Sequence, residues 1–356
     1  MKLRIGIIGC GGIATGKHLS ALKSNGDLCE VVAFCDGILD RAKKAAQEYG
    51  VENAQVCQNY NELLANPNVD VVYVLTPNIS HSPIAVDAFH AGKHVMCEKP
   101  MAINTAEAEK MMTAWKESGK KFSIGYQNRY RADVRHLRSA CQNGDLGEIY
   151  YAKAYAIRRR GVPTWGSFIQ GSQQGGGPLI DIGTHSLDLA LWLMDNYDVE
   201  SVTGTVFKKL GKLPQATDGN LWGAWDTSKY DVEDSAIGYI KMKSGALVVL
   251  ESSWALNILE AREAEVTLCG TKAGAELRVI YNRGKYGRLT EEVLTPGEPH
   301  DFFGTRYDAP YLEAKEWLTA ILEDRDPLVR PEQSLVVTQV LDAIYESAAK
   351  NETVWF

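Results

Sequence analysis

Two short segments of the sequence carry the residue types that alcohol oxidation requires. Lys99 stands between a glutamate and a proline, and His185 follows Asp181 by four residues in a glycine-rich stretch, 175–185. Removal of hydride from an alcohol carbon needs a base for the hydroxyl proton, and an imidazole serves that purpose at neutral pH. An ammonium group can donate to the reacting oxygen and stabilise alkoxide charge. We therefore predict Lys99 as a donor and His185 as a base.

The spacing of four residues predicts that Asp181 and His185 share one face of a helix. There the carboxylate can orient the imidazole or bind a neighbouring substrate hydroxyl. The alternative is structural: His185 would be a satisfied histidine at a helix start, and Asp181 a charge that favours the helix N-terminus. The spacing alone does not decide between the two interpretations.

A third segment, Gly-Cys-Gly-Gly-Ile-Ala at 9–14, has the glycine spacing of a dinucleotide-binding turn. Gly9 permits the tight turn out of a strand, Gly11 lets the backbone approach a pyrophosphate, and Ala14 lets the next helix pack closely on the sheet. The phosphates would lie at the N-terminus of that helix, where free N–H groups favour negative charge. The residues assigned to this turn are Gly9, Gly11, Gly12, Ile13 and Ala14.

Asp36 lies 22 residues beyond Ala14, at the end of the second predicted strand. A carboxylate there accepts hydrogen bonds from the adenosine ribose and repels a 2′-phosphate, which favours NAD over NADP. Arg41 or Lys43 could instead turn towards a phosphate. The structural alternative for Asp36 is a loop aspartate that caps the next helix.

The first 125 residues alternate short apolar runs with helical patterns. This alternation predicts a doubly wound parallel sheet covered by helices on both faces, a Rossmann domain of residues 1–125. The predicted strands are 3–8, 29–35, 54–57, 69–75, 94–97 and 122–125, and the predicted helices are 13–24, 39–49, 61–65, 83–91 and 106–118.

The pattern changes after residue 125 and predicts an α+β domain, 126–356, with an open, largely antiparallel sheet. Its predicted strands are 149–158, 201–209, 235–242, 247–254, 263–269, 274–280 and 287–294, and its predicted helices are 132–143, 179–194, 310–323 and 331–349. We expect the last helices to pack back towards the Rossmann domain. The stretch 211–229 has no regular pattern, and a loop of that length is typical of a functional, disordered or oligomer-forming segment.

Composition excludes several classes of protein. The net charge of −7 argues against a nucleic-acid partner, since such proteins concentrate basic residues on one face. No signal-peptide pattern opens the sequence and no long apolar run could span a membrane, so we expect a cytoplasmic protein. The seven scattered cysteines form no metal-binding or disulfide pattern, and we predict no metal site.

The glycine turn at 9–14, the Glu-Lys-Pro at 98–100 and the segment 175–185 together resemble the Gfo/Idh/MocA family of oxidoreductases, and the resemblance extends over essentially the whole chain. It implies that Lys99, Asp181 and His185 are catalytic and also contact the substrate. It further implies that Glu98 and Lys99 lie at the cofactor, and that the open sheet of the second domain forms homo-oligomer contacts.

Other positions are also predicted to contact the cofactor or the substrate. The resemblance places Thr76, Pro77, Asn78 and His81, after the fourth strand, at the cofactor. Gln127 and Arg129 follow the sixth strand and are predicted to contact cofactor and substrate respectively; the alternative is a solvated loop or helix cap. Trp165 could stack on a sugar ring and Arg158 could bind its hydroxyls, but Trp165 could equally anchor its own loop.

The leading hypothesis is NAD-dependent oxidation of a secondary hydroxyl of a sugar, cyclitol or glycoside, and the resemblance allows oxidation at C3 of a glycoside. A second hypothesis is a glycosidase-like enzyme that keeps NAD bound and acts by transient oxidation and elimination. A third is a non-catalytic NAD-binding regulator, against which the presence of Lys99, Asp181 and His185 argues.

Overall fold

The computed structural model describes residues 2–217, 225–277, 279–281, 291–293 and 309–356. The chain forms two compact units. The first consists of Met1–Tyr130 and Tyr307–Leu335, and the second of Arg131–Arg306 and Val336–Phe356.

The first unit contains a six-stranded parallel sheet. Its strands are β1 (Leu3–Ile8), β2 (Cys29–Cys35), β3 (Gln55–Cys57), β4 (Val71–Val74), β5 (His94–Cys97) and β6 (Phe122–Ile124). The strand order is β3-β2-β1-β4-β5-β6, so the order reverses between β1 and β4. Ligands of such sheets bind beyond the carboxyl ends of the strands at this reversal. The predicted Rossmann architecture is confirmed.

Helices cover this sheet, and local sequence explains where they begin and end. The helices are α1 (Leu19–Ser24), α2 (Leu39–Tyr49), α3 (Tyr60–Leu64), α4 (His81–His90) and α5 (Thr105–Ser118). The Asn104 side chain accepts from the Glu107 N–H at 2.9 Å and caps the start of α5. Gly119 ends it in the left-handed conformation, with φ of 63°.

The core of the first unit includes residues from both ends of the chain. Trp317 and Leu318, from the later helix α9 (Ala309–Leu322), are fully buried in one apolar cluster with Ile5, Ile7 and Phe34. The burial of a tryptophan and a leucine makes α9 an integral part of this core.

The second unit is built on a sheet that has nine strands in the part of the chain the structure describes. They are β7 (Ile149–Ile157), β8 (Val199–Phe207), β9 (Ser235–Met242), β10 (Leu247–Ser253), β11 (Arg262–Gly270), β12 (Gly274–Glu276), β13 (Val279–Tyr281), β14 (Glu291–Val293) and β15 (Val354–Trp355). The order is β14-β13-β12-β11-β7-β10-β9-β8-β15, and the described pairings are antiparallel except that between β7 and β10. The predicted α+β class is confirmed.

The helices of the remaining chain are α6 (Ala132–Gln142), α7 (Gly171–Gln174), α8 (Thr184–Met194) and α10 (Pro331–Lys350), and the boundary between the units falls within α10. The buried helix α8 contacts β7 and β11. Along β9 the side chains alternate between buried and exposed, so one face of the sheet is covered and the other is open.

Several elements differ from prediction. The expected strand 274–280 is two short antiparallel strands, because the chain turns at Leu277. The expected helix 179–194 begins with a π-helical turn, Leu179–Gly183, before α8. The irregular stretch contains 3₁₀ turns at Pro214–Ala216 and Thr227–Lys229, and its residues 218–224 lie outside the described residues. Of the strand expected at 287–294, only Glu291–Val293 lies within them.

Two kinds of feature, a membrane-spanning helix and a metal-binding cluster, are absent from the described residues. None of the helices there combines the length and apolar character needed to cross a membrane. In the same ranges, no three or more His, Cys, Asp or Glu side chains come together as a metal site.

Candidate active site

The glycine turn leaves the end of β1 as the sequence predicts. Gly9 has φ of +96°, and a Cβ there would lie 2.5 Å from the Leu75 carbonyl oxygen, so backbone conformation and space both require glycine. A Cβ at Gly11 or Gly12 would meet no atom within 4 Å among the described residues. Packing among the described residues therefore does not account for these two glycines, whereas the predicted close approach of a pyrophosphate would.

The helix after the glycine turn begins as a π-helix, Ala14–His18, and continues as α1. Ala14 is fully buried, as its predicted packing role requires, while Ile13 is 43% exposed. Lys17 and His18 are consecutive charged or polar residues, yet both are buried. Single π-helical turns are frequent at functional sites. This one directs the side chains of Lys17 and His18 into the interior of the first unit.

Glu98 is the partner of both buried residues. Its Oε1 accepts from Lys17 Nζ at 2.7 Å and lies 2.8 Å from His18 Nε2, and its Oε2 accepts from the Lys99 N–H at 2.9 Å. Burial raises the pKa of Glu98, but the charge of Lys17 and the hydrogen bond with His18 outweigh burial and hold it well below its usual range. The backbone of Lys99 is thereby fixed to the helix that follows the glycine turn. The two oxygens of Glu98 take these protein donors, and its contact with the cofactor stays a prediction.

Lys17 has two further partners, Glu313 Oε2 of α9 at 3.0 Å and Gln127 Oε1 at 3.2 Å. Burial raises the pKa of Glu313 to about 7, against the opposing effect of Lys17. Gln127, predicted at the cofactor, thus hydrogen-bonds to the same ammonium. Sequence reasoning missed Lys17, His18 and Glu313. The one available signal was a charged pair in the first helix after a dinucleotide turn.

His81 joins the loops that follow β4 and β5. It is fully buried, with Nδ1 2.8 Å from the Pro100 carbonyl oxygen and Nε2 2.9 Å from that of Thr76. Burial lowers the pKa of His81, although both carbonyls favour its protonated form. Next to it, Thr76 Oγ1 is buried and has no hydrogen-bond partner among the described residues. An orphaned hydroxyl beyond the end of β4 fits a cofactor contact, as predicted for the segment Thr76-Pro77-Asn78.

Asp36 hydrogen-bonds to the glycine turn itself. Its Oδ2 accepts from the Cys10 N–H at 2.8 Å and its Oδ1 from the Ile38 N–H at 2.7 Å. The carboxylate therefore connects the turn to the loop that leads into α2. Asp36 does not occupy the N-cap position of that helix, which is Ile38. Each oxygen keeps a second lone pair, so the ribose interpretation is compatible with these bonds.

Arg129 has structural partners that the sequence did not indicate. The side chain is completely buried, and its Nη1 donates to Gln333 Oε1 at 2.7 Å and to the Leu328 carbonyl at 3.3 Å. The guanidinium thus holds the segment that precedes and begins α10, and the substrate contact of Arg129 stays a prediction.

In the second unit, Asp181 lies in the π-helical turn and His185 in the first turn of α8. Trp254 Nε1 donates to Asp181 Oδ2 at 3.1 Å, and Arg158 Nη1 lies 4.0 Å from the same oxygen. Arg158 also binds Glu263 through two bonds of 2.7 Å. Arg158 was predicted to contact substrate, and the structure places it beside Asp181 with its charge balanced by two carboxylates.

Trp165 contacts its own loop, and its stacking on a sugar ring stays a prediction. It is 49% exposed, and it packs edge-to-face on Phe168 of its own loop with ring centroids 4.5 Å apart.

Lys99 belongs to the first unit, and Asp181 and His185 to the second. The meeting of these side chains at one substrate stays a prediction.

Comparison with known proteins gives matches over both units. A model described as "Oxidoreductase family, NAD-binding Rossmann fold" matches residues 3–126, and one described as "Oxidoreductase family, C-terminal alpha/beta domain" matches residues 138–356. A D-glucoside 3-dehydrogenase of Escherichia coli (strain K12) is 38% identical over 97% of this chain and 95% of its own length. A myo-inositol 2-dehydrogenase of Thermotoga maritima is 30% identical over 93% and 91%. A solved aldose-aldose oxidoreductase from Caulobacter crescentus, complexed with glycerol, is 26% identical with a TM-score of 0.78 and full coverage of both chains.

The Glu313 carboxyl generates a pH prediction for stability. Because its pKa in the folded protein lies above that of an unfolded glutamate, the folded state binds more protons between those two values, and stability falls as pH rises through about 7. Glu313→Gln removes this loss and leaves Glu98 to pair with Lys17. We expect the variant to gain about 2 kcal/mol relative to the native protein between pH 5 and pH 8, measured by denaturant unfolding. The exposed Glu323→Gln is the control, and a native-to-variant difference that does not change with pH contradicts the prediction.

Proposed function

The chain belongs to the Gfo/Idh/MocA family of oxidoreductases, and we propose that it oxidises a secondary hydroxyl of a sugar, cyclitol or glycoside with NAD as the hydride acceptor. The observation that carries this proposal is the full-length similarity to a D-glucoside 3-dehydrogenase. Within the proposed class, the same similarity favours oxidation at C3 of a glucoside.

In this proposal the residues of the first unit hold the cofactor. Gly9, Gly11 and Gly12 admit the pyrophosphate, Asp36 binds the ribose hydroxyls, and Thr76 Oγ1 supplies a hydroxyl beyond β4. NAD, when bound, supplies an electrophilic ring carbon that accepts hydride.

The proposed catalytic residues handle the proton and the charge on oxygen. His185 takes the proton from the substrate hydroxyl, and Asp181 orients the imidazole or binds an adjacent hydroxyl. Lys99 donates a hydrogen bond to the same oxygen and stabilises its developing negative charge. Trp254 donates to Asp181 and Arg158 lies beside it, which directs a carboxylate that serves as acceptor.

We propose a cytoplasmic location and a homo-oligomer formed through the open sheet. All seven cysteines are free thiols, as a reducing compartment favours. On the open face, Ile237 and Tyr239 of β9 are 38% and 54% exposed, and Tyr155 of β7 lies in the same cross-strand row as Ile237. Apolar and aromatic side chains on one sheet face are typical of a protein interface.

The catalytic assignment is tested by Lys99→Ala and His185→Ala in an assay of NAD reduction with methyl glucosides, free sugars and inositols. Each variant should lose turnover by about 10²-fold or more while NAD still binds, because each removes one proton-handling or charge-stabilising group. The exposed Lys116→Ala and His136→Ala are matched controls that should keep native turnover. Near-native rates in both catalytic variants would remove the assignment, and sugar release without net NADH would favour the glycosidase-like alternative.

The cofactor preference is tested at Asp36. Asp36→Ala should weaken the binding of NAD more than the binding of NADP. The substitution removes an acceptor for the ribose hydroxyls and also the charge that repels a 2′-phosphate. Asp36→Asn keeps an oxygen for the Cys10 N–H, so it separates loss of charge from loss of the turn. Dissociation constants for both cofactors are the measurement. An unchanged ratio of the two dissociation constants in both variants would contradict the proposed preference for NAD.

The interface is tested by introducing charge on the open face. Ile237→Asp with Tyr239→Asp should lower the mass of the assembly measured by light scattering, since two buried carboxylates would be unpaired at the contact. The exposed Tyr150→Asp at the start of β7 is a comparison for charge alone. A native protein that runs as a monomer would contradict the proposal outright.

A further inference from the structure

Glu233 is a buried carboxylate that no step of the proposed reaction uses. It is 2% exposed, and its Oε1 accepts from the Gly177 N–H at 3.0 Å and the Leu179 N–H at 3.1 Å. Its Oε2 shares the Gly177 N–H at 3.0 Å. The Tyr345 hydroxyl of α10 donates to Oε1 at 2.8 Å. Every described partner of this carboxylate is a donor, and two of them are backbone groups at one turn.

That turn begins the helical segment that carries Asp181 and His185. The first N–H groups of a helix have no partner within it, and a negative charge there is favoured by the helix dipole. Glu233 supplies an acceptor at the start of the π-helical turn, Leu179–Gly183. Because the π-turn continues directly into α8, the position of its first residues sets where the later side chains point.

The consecutive glycines of the segment fit the same contacts. A Cβ at Gly177 would overlap the Glu233 carbonyl oxygen, and one at Gly176 would overlap the Tyr345 hydroxyl. The glycines that marked this segment in the sequence are therefore required by the close approach of Glu233 and Tyr345.

We propose that Glu233, held by Tyr345, is a positioning residue that fixes the start of the helix bearing Asp181 and His185. This inference rests on the proposed catalytic roles of those two residues. Glu233 itself touches no reacting atom; it acts on the reaction only through the direction of the Asp181 and His185 side chains.

The neighbouring Asp234 provides a matched control. It is 1% exposed, and its Oδ2 accepts from the successive N–H groups of Lys209, Leu210 and Gly211 at 2.5, 2.6 and 2.8 Å. Both side chains are therefore buried carboxylates that hold a backbone turn. The turn held by Asp234 follows β8 and contains none of the candidate catalytic residues.

The experiment compares Glu233→Gln, Tyr345→Phe and Asp234→Asn by turnover, KM and thermal unfolding. Glu233→Gln places an amide donor against the Gly177 N–H, and kcat should fall about tenfold or more while NAD affinity is kept. Tyr345→Phe removes one donor to Glu233 and should lower kcat by a smaller factor. If Glu233→Gln does not fold, the proposal is tested with Tyr345→Phe. Asp234→Asn should lower thermal stability but leave kcat close to native. Equal losses of kcat in Glu233→Gln and Asp234→Asn would overturn the proposal, because both would then act through stability.

A double variant separates positioning from a general structural effect. If Glu233 acts through the imidazole, Glu233→Gln should lower kcat by a much smaller factor in a His185→Ala background than in the native protein. The same cost in both backgrounds would contradict the inference. A His185→Ala variant with native turnover would instead overturn the proposed function, so the two failures are distinguishable.

Discussion

The ion pair between Lys17 and Glu98 is the interaction on which the proposed cofactor side depends. Its atoms are 2.7 Å apart and both side chains are almost completely buried. Isolated buried charges are strongly unfavourable, so the Glu98 carboxylate requires the Lys17 ammonium, which Glu313 also contacts at 3.0 Å. The pair connects the helix that follows the glycine turn to the residue directly before Lys99. The backbone of Lys99, the proposed donor, is therefore held relative to the glycine turn through the Glu98 carboxylate, which contacts both Lys17 and His18.

A similar arrangement occurs in the second unit. Glu233 holds the turn before Asp181 as Glu98 holds the backbone of Lys99, and both carboxylates accept backbone N–H groups in a buried environment. In each unit a π-helical turn lies next to this contact. Proposed catalytic side chains that must point accurately are thus carried on backbone segments with buried polar anchors. Such anchors limit local motion because a displaced carboxylate would lose several hydrogen bonds at once.

Local patterns in the sequence were sufficient to predict most of the fold. The strands of the first sheet are nearly continuous apolar runs, and the glycine turn follows one of them, so their type and parallel arrangement could be inferred without tertiary information. The π-helical turns could not, because 179–194 has the composition of an ordinary helix. The split between β12 and β13 depends on a turn at Leu277 that no glycine or proline marks.

The anchors of the candidate site were beyond sequence reasoning for a physical reason. Lys17 and Glu98 are 81 residues apart, and Glu233 is 56 residues from Gly177. Charge pairing at such separations follows from the fold and leaves no local periodicity. Arg129 is a related case: an arginine after a strand end suggested a ligand contact, and its contacts with Leu328 and Gln333 left no local signal.

The central claim is that one ammonium and one imidazole act on the same hydroxyl beside the nicotinamide. A crystal structure of the protein with NAD and a glucoside tests it most directly. The account predicts Lys99 Nζ and a ring nitrogen of His185 within about 3 Å of one substrate hydroxyl oxygen, with the carbon of that hydroxyl against the nicotinamide ring. A complex in which the two side chains reach different substrate atoms, or in which the dinucleotide lies away from Gly11, would contradict it.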